Sequence, residues 1–301
     1  MMAATPNLAG DQATLGRALA HLASPRCVVM TMGALHAGHL DLVDAATAYG
    51  GSVVVTVFVN PLQFGPGEDF DAYPRTVQAD CAALAGRGVD VVYAPTSADM
   101  YPGGEPQVSI VPGPAGERYE GKIRPGHFAG VLTVVAKLLG RTRADIAVFG
   151  QKDAQQVHLI RQMVHDLDLG VEIVTVATRR DPDGLAASSR NAYLTPAERQ
   201  RALALPRALH AGAAAAADGV GAEGVRCTLA ASLDPGDGLT VDYLDLVGPD
   251  FVPLGGTSTG DATVIGAIRV GTTRLIDNMP VTVVGPGHRG CGRARPLPLS
   301  P

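Results

Sequence analysis

Short runs of β-branched and apolar residues recur through the first half of this chain, separated by longer stretches with helical spacing. CVVMTM (27–32), SVVVTVFV (52–59), VDVVYAP (89–95), DIAVFG (145–150) and VEIVTVAT (171–178) read as strands buried on both faces. Between them, HLDLVDAATAY (39–49), TVQADCAALAGRG (76–88), HFAGVLTVVAKLLGR (127–141) and DAQQVHLIRQMVHDL (153–167) set apolar residues at helical intervals. This alternation predicts an α/β fold, a Rossmann-like doubly wound parallel sheet with helices on both faces. Sheets of this kind bind ligands beyond the carboxyl ends of their strands. The polar candidates obey that rule: TMGALHAGH follows the first strand, NPLQFG (60–65) the second and FGQKD (149–153) the fourth.

After residue 178 the pattern changes. TRRDPDGLAASSRNAYL (178–194) is polar and loop-like, and Thr195-Pro196 reads as the N-cap and first residue of a helix. Pro206 is expected to kink that helix or end its first segment. AGAAAAADGVGAEG (211–224) suggests a helix end and a short linker. VDYLDLV (241–247), ATVIGAIRV (262–270) and TRLIDNM (273–279) suggest a small antiparallel sheet, the last two strands joined by a Gly-Thr turn. The expected organisation is a Rossmann-like domain over 1–178, a second, smaller α+β domain over 179–285, and a disordered Gly/Pro/Arg-rich tail over 286–301.

Composition narrows the function classes. With 46% hydrophobic and 18% charged residues the chain is a globular protein, and its net charge of −5 gives no general affinity for nucleic acid. Cys27, Cys81, Cys227 and Cys291 form no CxxC pair, which argues against a zinc site or disulfide framework and suits a reducing cytoplasm. No apolar run of 18 residues and no charged-then-apolar leader is present, so neither membrane spanning nor export is expected. Walker A and Ser-His-Asp patterns are also absent, which removes support for P-loop chemistry and ordinary esterase chemistry.

Four segments carry candidate chemistry. In TMGALHAGH, His36 and His39 flank Gly38 where a strand gives way to a helix. Gly38 would let a phosphate approach the backbone, and the helix would present its N-terminal amides and positive dipole end to an anion. Two imidazoles there can donate to the oxygens of a phosphate under attack. In FGQKD, Lys152 offers a point charge to a polyphosphate, and Asp153 can cap the next helix or hold Mg²⁺ through water. ASSRN (187–191) sets two hydroxyls beside the permanently charged Arg190, a phosphate clamp. The long Pro/Gly-rich loop 58–76 carries Asn60 and Gln63, whose neutral amides suit hydroxyl and carboxylate groups. Each segment alone also fits a structural role: a packed histidine, a turn, a polar loop. Their combination is what points to nucleotidyl transfer.

Together, TMGALHAGH, FVNPLQFG, DFDAYPRT, RPGHFAGVLTVVAKLL, FGQKD, DGLAASSRNAYL, VDYLDLV and GTTRLIDN resemble the pantothenate synthetase (pantoate–β-alanine ligase) family, within the HIGH-motif, cytidylyltransferase-like superfamily. The resemblance runs from about residue 12 to about 280. It implies a cytoplasmic homodimer that uses ATP and Mg²⁺ to make pantoyl adenylate and pyrophosphate, then joins the pantoyl group to the amine of β-alanine and releases AMP. It puts the ATP-binding stretch on Met32 to His39, including Gly33, His36 and Gly38, with His39 as proton donor and further nucleotide contacts at Gly150, Gln151, Lys152, Asp153, Ala187, Ser188, Ser189 and Arg190. Gln63 falls on the glutamine shared by pantoate and β-alanine, Gln156 on a second pantoate contact, and Asn60 beside them. No side chain stands out as a metal ligand, so Mg²⁺ is expected to ride on the ATP phosphates. Four positions depart from the family's usual pattern: Gln151 for Glu, Ala154 for an aromatic, Ala187 for Met, and Arg179 for a small aliphatic residue lining the adenine pocket. The expected result is an active enzyme with weakened ATP affinity. Two rivals are a superfamily member that activates another hydroxy acid, and a catalytically silent nucleotide-binding relative.

Overall fold

The structure, a computed structural model, describes residues 5–233 and 238–285; the tail expected over 286–301 lies outside them. Two compact units divide the described chain. The first runs to Gln151 and resumes over Gln155–Ala177; the second comprises Lys152–Ala154 and the residues from Thr178 onward.

Six parallel strands form the sheet of the first unit: β1 (Asn7–Ala9), β2 (Arg26–Thr31), β3 (Ser52–Val57), β4 (Val91–Tyr93), β5 (Ile146–Gly150) and β6 (Glu172–Val176), in the order β1-β4-β3-β2-β5-β6. β2 is central, its Val28 facing Val54 of β3 and Ala147 of β5. The order therefore reverses at β2, and the loops after β2 and β5 open at that reversal, where a doubly wound sheet takes its ligands. The helices are α1 (Gln12–Leu19), α2 (Ala37–Ala48), α3 (Val77–Leu84), α4 (Ser97–Met100), α5 (Glu120–Ile123), α6 (His127–Thr142) and α7 (Ala154–Asp166). Two apolar clusters, one with Val28, Val54 and α6, the other with Val29, Val55 and α2, fill the two faces of the sheet. The doubly wound reading of the sequence is correct, with β1 and α1 added to it. β3 is buried at every position, whereas β6 at the edge is only half-buried.

Three helices, α8 (Pro196–Ala202), α9 (Ala204–Ala217) and α10 (Gly221–Ala231), pack on an antiparallel sheet in the second unit. Its strands β7 (Leu239–Val247), β8 (Gly260–Val270) and β9 (Thr273–Val283) lie in chain order. Val270 pairs with Thr273, so the turn is Gly271-Thr272, with Gly271 at φ 58°. Pro206 does end the first helical segment. Its missing N–H and its ring act on the carbonyl four residues back, at Ala202, and α8 stops there. Within 211–224 the helix end and short linker are both found: α9 runs through Ala217, and α10 begins at Gly221. No helix among the described residues is long and apolar enough to cross a membrane.

One close approach in the first unit places part of the site. Gly130 of α6 lies against the short 3₁₀ turn Pro61–Gln63, so near that a Cβ there would overlap the carbonyl oxygen of Leu62. Gly130→Ala must push helix and turn apart. Destabilisation of about 1–3 kcal/mol is expected, read from urea denaturation; an unchanged midpoint would show that the turn yields freely.

Candidate active site

The turn from β2 into α2 is built almost wholly from amides with assigned partners. Thr31 Oγ1 donates to the Thr56 carbonyl (2.8 Å) and accepts the Gly33 amide (3.1 Å). Gly33 sits at φ 86°, where a Cβ would press on Asp80 Oδ2 and Val57 Cγ1 at 3.0 Å each, so glycine is required. Ala34 follows in the left-handed region at φ 51°. His36 then returns to extended backbone and serves as the N-cap of α2. Its Nδ1 accepts the Gly38 amide (3.2 Å), and His39 Nδ1 accepts the His36 amide (3.3 Å), a capping box made of two imidazoles. A neutral ring whose Nδ1 accepts carries its hydrogen on Nε2. The rings lie 4.0 Å apart between centroids, tilted by 38°. Here the structure adds to the sequence expectation. The amides of Gly38 and His39 are taken by His36 itself, one by its ring and one by its carbonyl.

Beyond β3, Asn60 is almost fully buried and organises Gln63. Asn60 Nδ2 donates to Gln63 Oε1 (3.1 Å) and to the Gly130 carbonyl (3.2 Å), while its Oδ1 accepts from Tyr101 Oη (2.8 Å). Burial pushes the Tyr101 phenol up to about 12, which keeps it a donor. Gln63 Nε2 points at Met32 Sδ (3.3 Å), a weak acceptor that a hydroxyl or carboxylate oxygen would improve on. The Gln63 carbonyl accepts from His127 Nδ1 (2.9 Å) and Arg124 Nη2 (3.2 Å). Arg124 also grips Glu68 through two bonds of 2.6 and 2.7 Å. Burial pushes the Glu68 carboxyl up, but Arg124 outweighs it and holds the group below the usual carboxylate range. Met32, Asn60 and Gln63 are thus brought together, with His127 and Arg124 as supports that lie far away in sequence. Gly150 closes β5 and Gln151 opens the short turn that follows. On α7, Gln155 is structural, its amide bonded to the Glu120 amide and to the carbonyls of Ala115 and Arg118, while its neighbour Gln156 is half-exposed.

In the second unit, Lys152 lies 3.7 Å from Asp153 and its carbonyl accepts from Asn278 Nδ2 (2.8 Å). The preceding residue of β9, Asp277, is buried and bonds Arg180 through two contacts of 2.6 and 3.0 Å. Arg180 bridges to Ala186, and the Ala187 amide donates to the Arg179 carbonyl (2.9 Å). Arg179 and Ala187 are therefore backbone neighbours, Arg179 exposed and Ala187 buried. Ser188 caps the 3₁₀ turn Ser189–Tyr193 by accepting the Arg190 amide (3.3 Å), and Asn191 ties the segment to the Ala186 carbonyl (3.0 Å). Asp277 and Asn278 escaped notice as site residues because they stand in a strand. Both fall inside the GTTRLIDN motif, which carried the resemblance but gave them no role. Among the described residues, no group of three His, Cys, Asp or Glu is arranged to hold a metal ion.

A doubly wound parallel sheet with an HxGH turn at its reversal places the chain among the Rossmann-like α/β proteins. Comparison with known proteins narrows this. The family model described as Pantoate-beta-alanine ligase matches residues 11–280. Pantothenate synthetase of Acidothermus cellulolyticus is 52% identical over 282 residues, covering 92% of each chain. That of Salinispora arenicola is 55% identical over 255 residues, 84% of this chain and 90% of its own. Among solved structures, pantothenate synthetase from Thermus thermophilus superposes with a TM-score of 0.84 at 42% identity, over 91% of this chain and 98% of its own. Pantoate-beta-alanine ligase from Francisella tularensis, complexed with β,γ-ATP and β-alanine, gives 0.76 at 33%, over 91% and 97%. The chain belongs to the pantoate–β-alanine ligase family, and it is an ATP-dependent ligase that condenses pantoate with β-alanine.

His127 gives this site a measurable acid sensitivity. Burial, reinforced by Arg124, pushes its imidazole down to about 4 from an ordinary 6.5. The native state keeps the ring neutral while the unfolded chain takes a proton, so its contribution is whole above pH 6.5 and is lost as pH falls toward 4. The loss amounts to about 3 kcal/mol for a shift of this size. In His127→Gln, the fall in urea midpoint from pH 7 to about pH 4 should be shallower than in the wild type; equal slopes would mean the ring is not held neutral.

Proposed function

We propose that His36 and His39 donate from Nε2 to the α-phosphate oxygens of ATP while the pantoate carboxylate attacks phosphorus. Pyrophosphate leaves, and a pantoyl adenylate remains. The amine of β-alanine then attacks its acyl carbon and expels AMP. The observation that carries this reading is the pair of Nδ1 acceptors in the α2 cap, which fixes both hydrogens on Nε2. A carboxylate is a poor electrophile, and bringing it to a polyphosphate opposes two anions; fixed donors offset the charge that develops in transfer. Lys152 and Arg190 add positive charge for the phosphates, His39 acts as a hydrogen-bond donor, and Ser188 and Ser189 supply hydroxyls. Gln63 and Gln156 hold pantoate, Gln63 also meets β-alanine, and Asn60 orients Gln63 from behind. Met32, Gly33, Gly38, Gly150, Gln151, Arg179 and Ala187 belong to the nucleotide-binding segments.

Mg²⁺ bound to the ATP phosphates would supply charge neutralisation on the pyrophosphate. Asp153, half-exposed beside Lys152, fits an ion that arrives with its own phosphate and water ligands rather than one held in a protein cage. A homodimer and a cytoplasmic location complete the reading and rest on the likeness to the family.

Pyrophosphate release from Mg·ATP and (R)-pantoate, with and without β-alanine, is the direct test. Pantoate-dependent release that becomes sustained turnover with β-alanine is expected; binding without release would favour the silent relative. In the same assay His39→Ala should lower kcat by about 10²–10³, the scale for one lost transition-state donor. Gln63→Ala should act on the pantoate KM, and an effect confined to ATP would remove it from pantoate binding. Restoring the family pattern with Arg179→Val and Ala187→Met should tighten the ATP KM about fivefold, the worth of one thioether packed on an aromatic ring; an unchanged KM would show that backbone contacts dominate adenine binding.

A further inference from the structure

We propose that Asp80, on α3, is a positioning residue for adenylation, holding the turn that delivers His36 and His39. The inference rests on the donor role given above to those histidines. Asp80 is 3% exposed, and its carboxylate lies directly under the Gly33-Ala34-Leu35 turn. Oδ1 accepts the Leu35 amide (2.9 Å); Oδ2 accepts the Ala34 amide (3.3 Å) and the Thr76 hydroxyl (3.2 Å). Thr76 Oγ1 in turn receives the Ala34 amide (3.2 Å). Three donors from two separate segments therefore converge on one buried carboxylate, the Leu35 amide reaching it across 45 residues of sequence.

The geometry needs such an anchor. Ala34 is held at φ 51°, a left-handed conformation that an L-residue other than Gly, Asn or Asp adopts only when its surroundings impose it. The turn leads straight into His36, whose extended backbone sets the capping box and hence the direction of both rings. A relaxed turn would release the cap.

Charge gives the second argument. A carboxylate beneath a site for two anions is electrostatically unfavourable, and asparagine would avoid the charge at nearly the same size. Asparagine has one acceptor oxygen, however, and its NH₂ would face the Ala34 amide or the Thr76 hydroxyl. Only a carboxylate can accept at both oxygens, so the position favours geometry over charge.

The test uses the full chain and the pyrophosphate assay with Mg·ATP and (R)-pantoate. Asp80→Asn is expected to lower kcat by about 10–100-fold, the range for reacting groups displaced by about 1 Å, with the pantoate KM moving less than about twofold. If Asp80 acts through the histidines, Asp80→Asn added to His39→Ala should cost less than about threefold further, because the two losses are one loss. ¹⁵N spectra of histidine-labelled protein should show Nε2–H tautomers at His36 and His39 in the wild type and a mixture in Asp80→Asn. Fully additive losses, an unchanged kcat, or unaltered ring tautomers would each overturn the proposal. Should Asp80→Asn fail to fold, Thr76→Val removes only the hydroxyl. It should lower kcat about 3–10-fold at an unchanged melting temperature, and no effect would again overturn it. A wild type that shows Nε2–H rings yet releases no pyrophosphate would sink the functional reading, while the tautomer comparison would still judge Asp80.

Discussion

The chemistry of this chain depends on one reversal in strand order. β2 pairs with β3 on one side and with β5 on the other, so the connections leaving β2 and β5 run to opposite faces of the sheet. Their first residues are left at the carboxyl edge with no strand between them. Parallel pairing forces this geometry, because each crossover must pass over a face and right-handed crossovers diverge where the order changes. The HxGH turn leaves β2 and Gly150 ends β5. The site is where the topology leaves backbone uncovered, and the side chains there are those the chemistry selects.

What the sequence made legible follows from this. Five strands announce themselves through apolar, β-branched runs, which burial on both faces demands of the inner strands and which β6 keeps though half-buried, and the motif loops follow from lying at strand ends. β1 was not legible: Asn7-Leu8-Ala9 is three residues with no β-branched member, and it is a strand only because β4 offers it an edge. Pro206 was legible because its effect is local, one carbonyl four residues back. Gly130, Asp80 and Asn278 were not. Each acts on a partner remote in sequence, 45 residues away for Asp80 with Leu35 and 126 for Asn278 with Lys152, and no periodicity encodes such a partner. Asp80 in particular looks in sequence like the polar face of an amphipathic helix. The structure places that aspartate inward, where its charge is matched by donors rather than by water.

The candidate site divides along the same line. Residues proposed to meet substrate sit in recognisable strings, because several must be adjacent in one loop to converge on one phosphate. Residues that hold those strings in place come from wherever the fold brings a side chain near. His127 and Arg124 support the Gln63 carbonyl from the start of α6, and Asp277 and Asn278 support Arg180 and Lys152 from β9. The register of Arg179 and Ala187 is set by a backbone bond and by Arg180 with Asp277, neither of which depends on the Arg179 or Ala187 side chain.

The use of imidazoles where the helix has amides has a physical reason. A helix N-terminus binds an anion with whatever amides point outward, and their direction is fixed by the helix axis. Histidine at the N-cap and again at the third helical position consumes two amides of the turn and, in neutral rings, returns two N–H donors at the far side of the imidazoles. Reach is gained, and direction becomes a property of the ring's rotamer rather than of the axis. Protonation state is also constrained, since a ring that gained hydrogen on Nδ1 could no longer accept the amide that positions it. In neutral rings this cap puts the hydrogen on Nε2, the form the proposed donor role requires.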